Sequence, residues 1–130
     1  MRKLLLIISW VMCSLVFVPL LMATVYYVDL SNGDNNWDGQ TTNFTTATGP
    51  YATMDYASAQ LTAGDTCWVR FTTYLELVDG MANIGTAENW ITLQGDYTGA
   101  IWADSTDRPI VDGGDTRTYG FVCLKCLGEK

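Results

Sequence analysis

Asp34, Asn36 and Asp38 occupy alternate positions of "GDNNWDGQ", residues 33–40, and Gly39 follows them. Oxygen-bearing side chains at that spacing, followed by a glycine that permits a sharp bend, form the first half of a calcium loop. The twelfth position of such a loop carries a bidentate glutamate, and here it is Thr45. The helices that flank such a loop are not expected either, and a succession of Asx-turns capping the strand before it would use the same residues. Three side chains fall short of the roughly six to eight oxygens that calcium takes. The loop is therefore expected to act mainly as a junction between the first strand and the segment that follows. Calcium binding at Asp34, Asn36 and Asp38 is expected to be weak, about 10⁻⁴ to 10⁻³ M.

Other chemistry is sparse. The chain has no histidine, so it lacks the usual general base near neutral pH and the commonest zinc ligand. "CLKC", 123–126, supplies at most half a zinc site. A local disulfide or plain apolar filling explains it as well. A hydrolase would hold two carboxylates about 5–9 Å apart. Asp112 and Asp115 in "VDGGD" qualify by proximity, but the Gly-Gly between them reads first as a turn. Trp37, Trp90 and Trp102 lie in or beside polar segments, where an aromatic face either stacks on a sugar ring or packs half-buried. No residue is assigned as catalytic.

The elements that must position these residues begin after a removable leader. "MRKLLLIISWVMCSLVFVPLLMA" starts with Arg2 and Lys3 and runs apolar from Leu4 to Val18. It then breaks at Pro19 and ends on the small residue Ala23. That three-part pattern predicts a signal peptide over 1–23. The competing reading is an uncleaved anchor, because the run approaches the roughly 17 residues needed to span a bilayer. Two of the seven basic residues leave with the leader, so five remain against fourteen acids, a net charge of −9. Nucleic acid and anionic membrane surfaces are poor partners for such a chain, and no stable membrane span is expected after cleavage. Three cysteines stay behind, Cys67, Cys123 and Cys126, an odd number that does not make a disulfide framework.

The full chain of 130 residues, 48% hydrophobic and 16% charged, has room for one globular domain. "TVYYVDL", 24–30, reads as a strand. In 53–64, Thr53 is placed to cap a short helix, Met54, Ala57 and Leu61 share one face, and Gly64 stands where a C-terminal cap is wanted. Short strands are then predicted in 66–71, 73–78, 89–95, 108–114 and 118–124. Val69, Ile91 and Ile110 recur at intervals of about 20 residues, as in stacked coils. A β-sandwich of hairpins is the alternative, and it would pair 66–71 with 73–78. Tight two-residue hairpin turns between these strands are lacking, which favours the solenoid.

"YYVDLSNGDNNWDG", "GPYATMDYASAQLTAGDTCWVR", "TYLE", "GTAENWITLQG" and "RPIVDGG" occur in this order. Together, from about Tyr26 to Gly114, they resemble the N-terminal region of secreted bacterial right-handed parallel β-helix proteins, the pectate-lyase-like superfamily. The resemblance implies an all-β chain, a right-handed parallel β-helix, with a strand, Asp-rich loop and cap helix over 24–65. The first two to three coils would fill 66–130. Cys67, Val69, Ile91, Leu93, Ile110 and Val111 would supply most of the interior. Two departures stand out. Thr72 occupies a position usually glycine, where a turn needing positive φ would be strained, and 96–107 is longer than the family's short link. Members of the superfamily run for many more coils, so the chain is expected to be a truncated, non-catalytic capping portion of a longer exported protein that binds or acts on carbohydrate. The alternative is part of a calcium-dependent polysaccharide lyase whose catalytic coils are missing. Arg70 has no carboxylate cluster near it in sequence, and Lys125 and Lys130 lie in the tail.

Overall fold

The computed structural model describes residues 22–79, 83, 85–104 and 107–113. The expected leader, apart from Met22 and Ala23, lies outside them, as do the 118–124 strand, Cys123 and Cys126. The elements are β1 (Val25–Val28), α1 (Met54–Gln60), β2 (Thr66–Val69), β3 (Thr73–Tyr74), β4 (Thr92–Gly95) and β5 (Ile110–Val111). Among the described residues no helix is long and apolar enough to cross a membrane.

One sheet has the order β1-β2-β4 and the other β3-β5, and every pairing is parallel. Successive strands β2 and β3 thus belong to different sheets, and β4 and β5 repeat the alternation. Segments 66–71 and 73–78 do not pair as a hairpin. Parallel neighbours need long crossovers, which the 41 residues from Val25 to Thr66 and the 26 from Thr66 to Thr92 provide. The register sets Tyr26, Cys67 and Leu93 in one row and Val28, Val69 and Gly95 in the next. With a side-chain period of two, these rows face inward together. Val28, Cys67 and Val69 are buried, and Tyr26 and Leu93 pack against them.

The spacing of Val69, Ile91 and Ile110 does not correspond to stacking. Val69 faces Gly95, and β5 pairs with β3 instead of β4. Ile110 and Val111 cannot both point inward from one strand. Val111 faces Tyr74 and packs on the core, while Ile110 faces Thr73 and is 54% exposed. Gly95 is required by contact: a Cβ there would come within 2.4 Å of Pro109 Cδ, so the chain entering β5 packs on the end of β4.

Thr53 Oγ1 accepts the Tyr56 N–H, so the helix begins where its cap predicts. It stops at Gln60, sooner than Gly64 suggests, and Gly64 (φ +96) instead forms the turn into β2. Met54, Ala57 and Leu61 are buried against Val28, Tyr51, Val69, Tyr74 and Val78. No non-glycine residue among those described has positive φ, so Thr72 carries no such strain, and its carbonyl accepts the Ile110 N–H.

Candidate functional site

The 33–40 loop and the ends of β1 and β2 gather most of the polar chemistry. Asp34 Oδ1 accepts both the backbone and the side-chain N–H of Asn36, each at 2.8 Å. Asp38 Oδ1 instead accepts from Gln40 N at 3.1 Å and Gly49 N at 3.3 Å. Asp34 and Asn36 are thus brought together, and Asp38 bonds instead to the backbone at Gln40 and Gly49. Gly39 has φ +71 and lies under the Tyr51 ring, where a Cβ would come within 2.2 Å. Its carbonyl accepts the Tyr27 N–H. Among the described residues no three His, Cys, Asp or Glu side chains gather closely enough to hold a metal.

Asn35, skipped by the alternating pattern, joins the loop to the helix. Its Oδ1 accepts Ala52 N and Thr53 N at 2.9 and 3.2 Å, and its Nδ2 donates to Thr53 Oγ1 at 3.0 Å. The residue that caps α1 is therefore itself held by the loop. Asn35→Ala is expected to cost about 1–3 kcal/mol, because two part-buried N–H groups lose their acceptor. Urea unfolding measures this, and the same change at exposed Asn36 should cost less.

Arg70 follows β2 and has two carboxylates that are remote in sequence. Its NH1 donates to Asp29 Oδ2 at 2.5 Å, and its Nε donates to Asp104 Oδ2 at 2.8 Å. NH2 also pairs with Asp104. The Asp29 side chain is 4% exposed and that of Asp104 44%, so the Asp29 arm is the desolvated one. Burial would raise the pKa of Asp29, but hydrogen bonds from Asn32, Arg70 and Ser31 outweigh it and hold the acid below its ordinary value. Burial would lower the pKa of Arg70, and its hydrogen bonds to Asp104 and Asp29 raise it instead. These bonds favour the charged form of the guanidinium. The arrangement is an ion triad that joins the ends of β1 and β2 to the 96–104 loop.

That loop is organised by Asp96, which is 2% exposed. Its carboxylate accepts the N–H groups of Ala100, Ile101 and Trp102 at 2.8–3.0 Å. Burial would raise its pKa, and these donors with Thr98 bring it below the ordinary value. The depressed pKa means that its stabilisation is present above the unfolded carboxylate value, about 3.9, and is lost as pH falls through the lower folded value. Asp96→Asn should cost about 2–3 kcal/mol at pH 7, with a smaller difference from the parent at pH 2–3, read by thermal melts across that range.

The three tryptophans have different surroundings. Trp37 stacks on Phe44 at 5.7 Å, Trp102 meets Tyr27 edge-on at 6.0 Å, and Trp90 is 69% exposed. Burial pushes the Cys67 thiol up to about 12, so it behaves as apolar filling. Asp112 lies just after β5, donating its N–H to the Tyr74 carbonyl, while Asp115, Lys125 and Lys130 fall outside the described residues. Asp29, Asp65 and Asp96 are the buried acids that sequence reasoning missed. Their shared signal is position: each adjoins a strand end. The chain matches no protein-family model, no curated protein and no solved structure.

Proposed function

We propose that this chain is the non-catalytic N-terminal capping portion of a longer exported protein, a right-handed parallel β-helix that binds or acts on carbohydrate at the cell surface or outside the cell. The observation that carries this reading is the in-register parallel stack of β1, β2 and β4, with the strands from β2 to β5 alternating between two sheets. Right-handed crossovers are the rule for parallel strands. The amphipathic helix beside the first strand suits the terminal cap that stacked folds need. The acidic balance of the chain favours neutral over anionic polysaccharide, whose charge would be repelled.

Sequencing the gene past Lys130 tests the reading. In-frame coils that repeat the strand and turn pattern, with the exported protein retained on a neutral polysaccharide column, are the expected result. A continuation of unrelated pattern, with no retention, would remove it. Carboxylates and a Lys or Arg converging on one face of added coils would favour the lyase instead.

Calcium at Asp34, Asn36 and Asp38 has a minor part in this proposal. The two acids are already hydrogen-bonded within the loop, so the expected affinity stays at about 10⁻⁴ to 10⁻³ M. Calorimetry with calcium on the exported chain should give a weak isotherm that Asp34→Ala and Asp38→Ala both flatten. Micromolar binding would contradict it.

A further inference from the structure

Asp65 is a buried carboxylate, 2% exposed, in the turn before β2. Its Oδ2 accepts Thr62 N and Thr62 Oγ1 at 2.7 and 2.9 Å, and its Oδ1 accepts Thr24 N at 2.8 Å. A buried carboxylate is costly unless a cation or several donors compensate it. Arg70 and Arg108 are the cations among the described residues, and neither pairs with Asp65. Arg70 is bound to Asp29 and Asp104, and Arg108 lies 6.0 Å over the Tyr97 ring.

Thr24 is also the first residue after the expected leader. Its carbonyl accepts Thr66 N at 3.0 Å, which fixes it against β2. Upstream, Met22 is 74% exposed and Ala23 is exposed, so the Ala23–Thr24 peptide bond begins where the chain leaves the fold. Thr24 Oγ1 reaches the Met22 carbonyl at 3.5 Å, at the outer limit of a hydrogen bond, so losing that residue removes little.

We propose that cleavage after Ala23 completes a part-buried ion pair, in which the new α-ammonium of Thr24 becomes the cationic partner of Asp65. The proposal rests on the export reading above. Hydrolysis of the Ala23–Thr24 peptide bond by water leaves a carboxylate on the leader and an amine on Thr24, which takes up a proton near neutral pH. Before cleavage the same nitrogen offers Asp65 a neutral N–H. Afterwards the same atom carries a full positive charge, so a hydrogen bond to an ionised acceptor becomes an ion pair at the same place. Leader removal thereby stabilises the product over the precursor.

The test uses the exported chain carrying its natural N-terminus, verified by mass. A portion is acetylated at the α-amine under denaturing conditions near pH 7, where that amine, of pKa about 7.7–8.0, reacts ahead of lysine at about 10.4, and is then refolded. Acetylation keeps the N–H but removes the charge, and it is expected to lower Tm by roughly 4–8 °C. A chain exported with one extra alanine before Thr24 should melt as low as the acetylated form. In Asp65→Asn the acetylation shift should vanish. Equal Tm for free and acetylated chains, or the same shift in parent and Asp65→Asn, would overturn the pair. Export with a cut elsewhere removes the pair and leaves the export reading intact, whereas failure of the full chain to be exported removes both.

Discussion

Replacing Arg70 with alanine is expected to destabilise the protein by about 3 kcal/mol, toward the low end of what breaking a buried ion pair costs. The loss would come from Asp29, whose side chain is 4% exposed and whose depressed pKa depends in part on the guanidinium. Asn32 and Ser31 continue to bind that carboxylate, which keeps the figure from rising further. Three comparisons separate this account from loss of packing. Asp104→Ala should cost less than about 1 kcal/mol, because that arm of the triad is exposed. Arg70→Lys should recover only part of the loss, since a single ammonium cannot reach both acids as the fork does. The double variant Asp29→Asn with Arg70→Ala should be more stable than Arg70→Ala alone. Urea unfolding at pH 7 reads these four together with Asp29→Asn alone, and additivity of the double variant would refute the argument.

Tyr74→Ala should be about as damaging, costing about 3–5 kcal/mol, as for other large aromatic side chains removed from a core. Tyr74 is fully buried, lies in β3 of the second sheet, and reaches back to the first. Its hydroxyl donates to the Arg70 carbonyl at 3.1 Å, with the Val28 carbonyl at 3.4 Å as a second acceptor. Tyr74→Phe isolates the hydroxyl and should cost about 1 kcal/mol. Thermal melts of the two variants distinguish the contributions. A Phe variant as unstable as the Ala variant would mean that the hydroxyl outweighs the ring.

Local patterns were readable from the chain because neighbouring residues decide them. The run Val25–Val28 is rich in β-branched and aromatic side chains, and Thr53 with Met54, Ala57 and Leu61 carries both the cap and the face of a helix. Burial within a strand was also readable where alternation was kept, as at Cys67 and Val69, and misread where two adjacent residues, Ile110 and Val111, were both assigned inward. Contacts set by register were not readable. Arg70 meets Asp29 and Asp104 at separations of 41 and 34 residues, and nothing near it in sequence names either partner. In the 33–40 loop, the alternating acids suggested a cation, while Asn35 between them makes the bonds to the helix. A side chain's chemistry is local, but its partner is chosen by how strands stack.

The outer edge of β1 is already occupied. Gly39 accepts the Tyr27 N–H, Tyr51 donates to the Tyr27 carbonyl, and the Tyr51 carbonyl accepts the Asp29 N–H. No described strand lies on the far side of β4. The two edges of the sheet therefore differ: the β1 edge is hydrogen-bonded by Gly39 and Tyr51, and β4 is the other outer strand among those described. The groups that cover the β1 edge, at Gly39 and Tyr51, lie close to β1 in the chain, so the edge can close without any later strand. An unpaired edge is a template for misassembly with other chains. In this molecule the first strand carries its own cover, which keeps that edge from pairing with other chains.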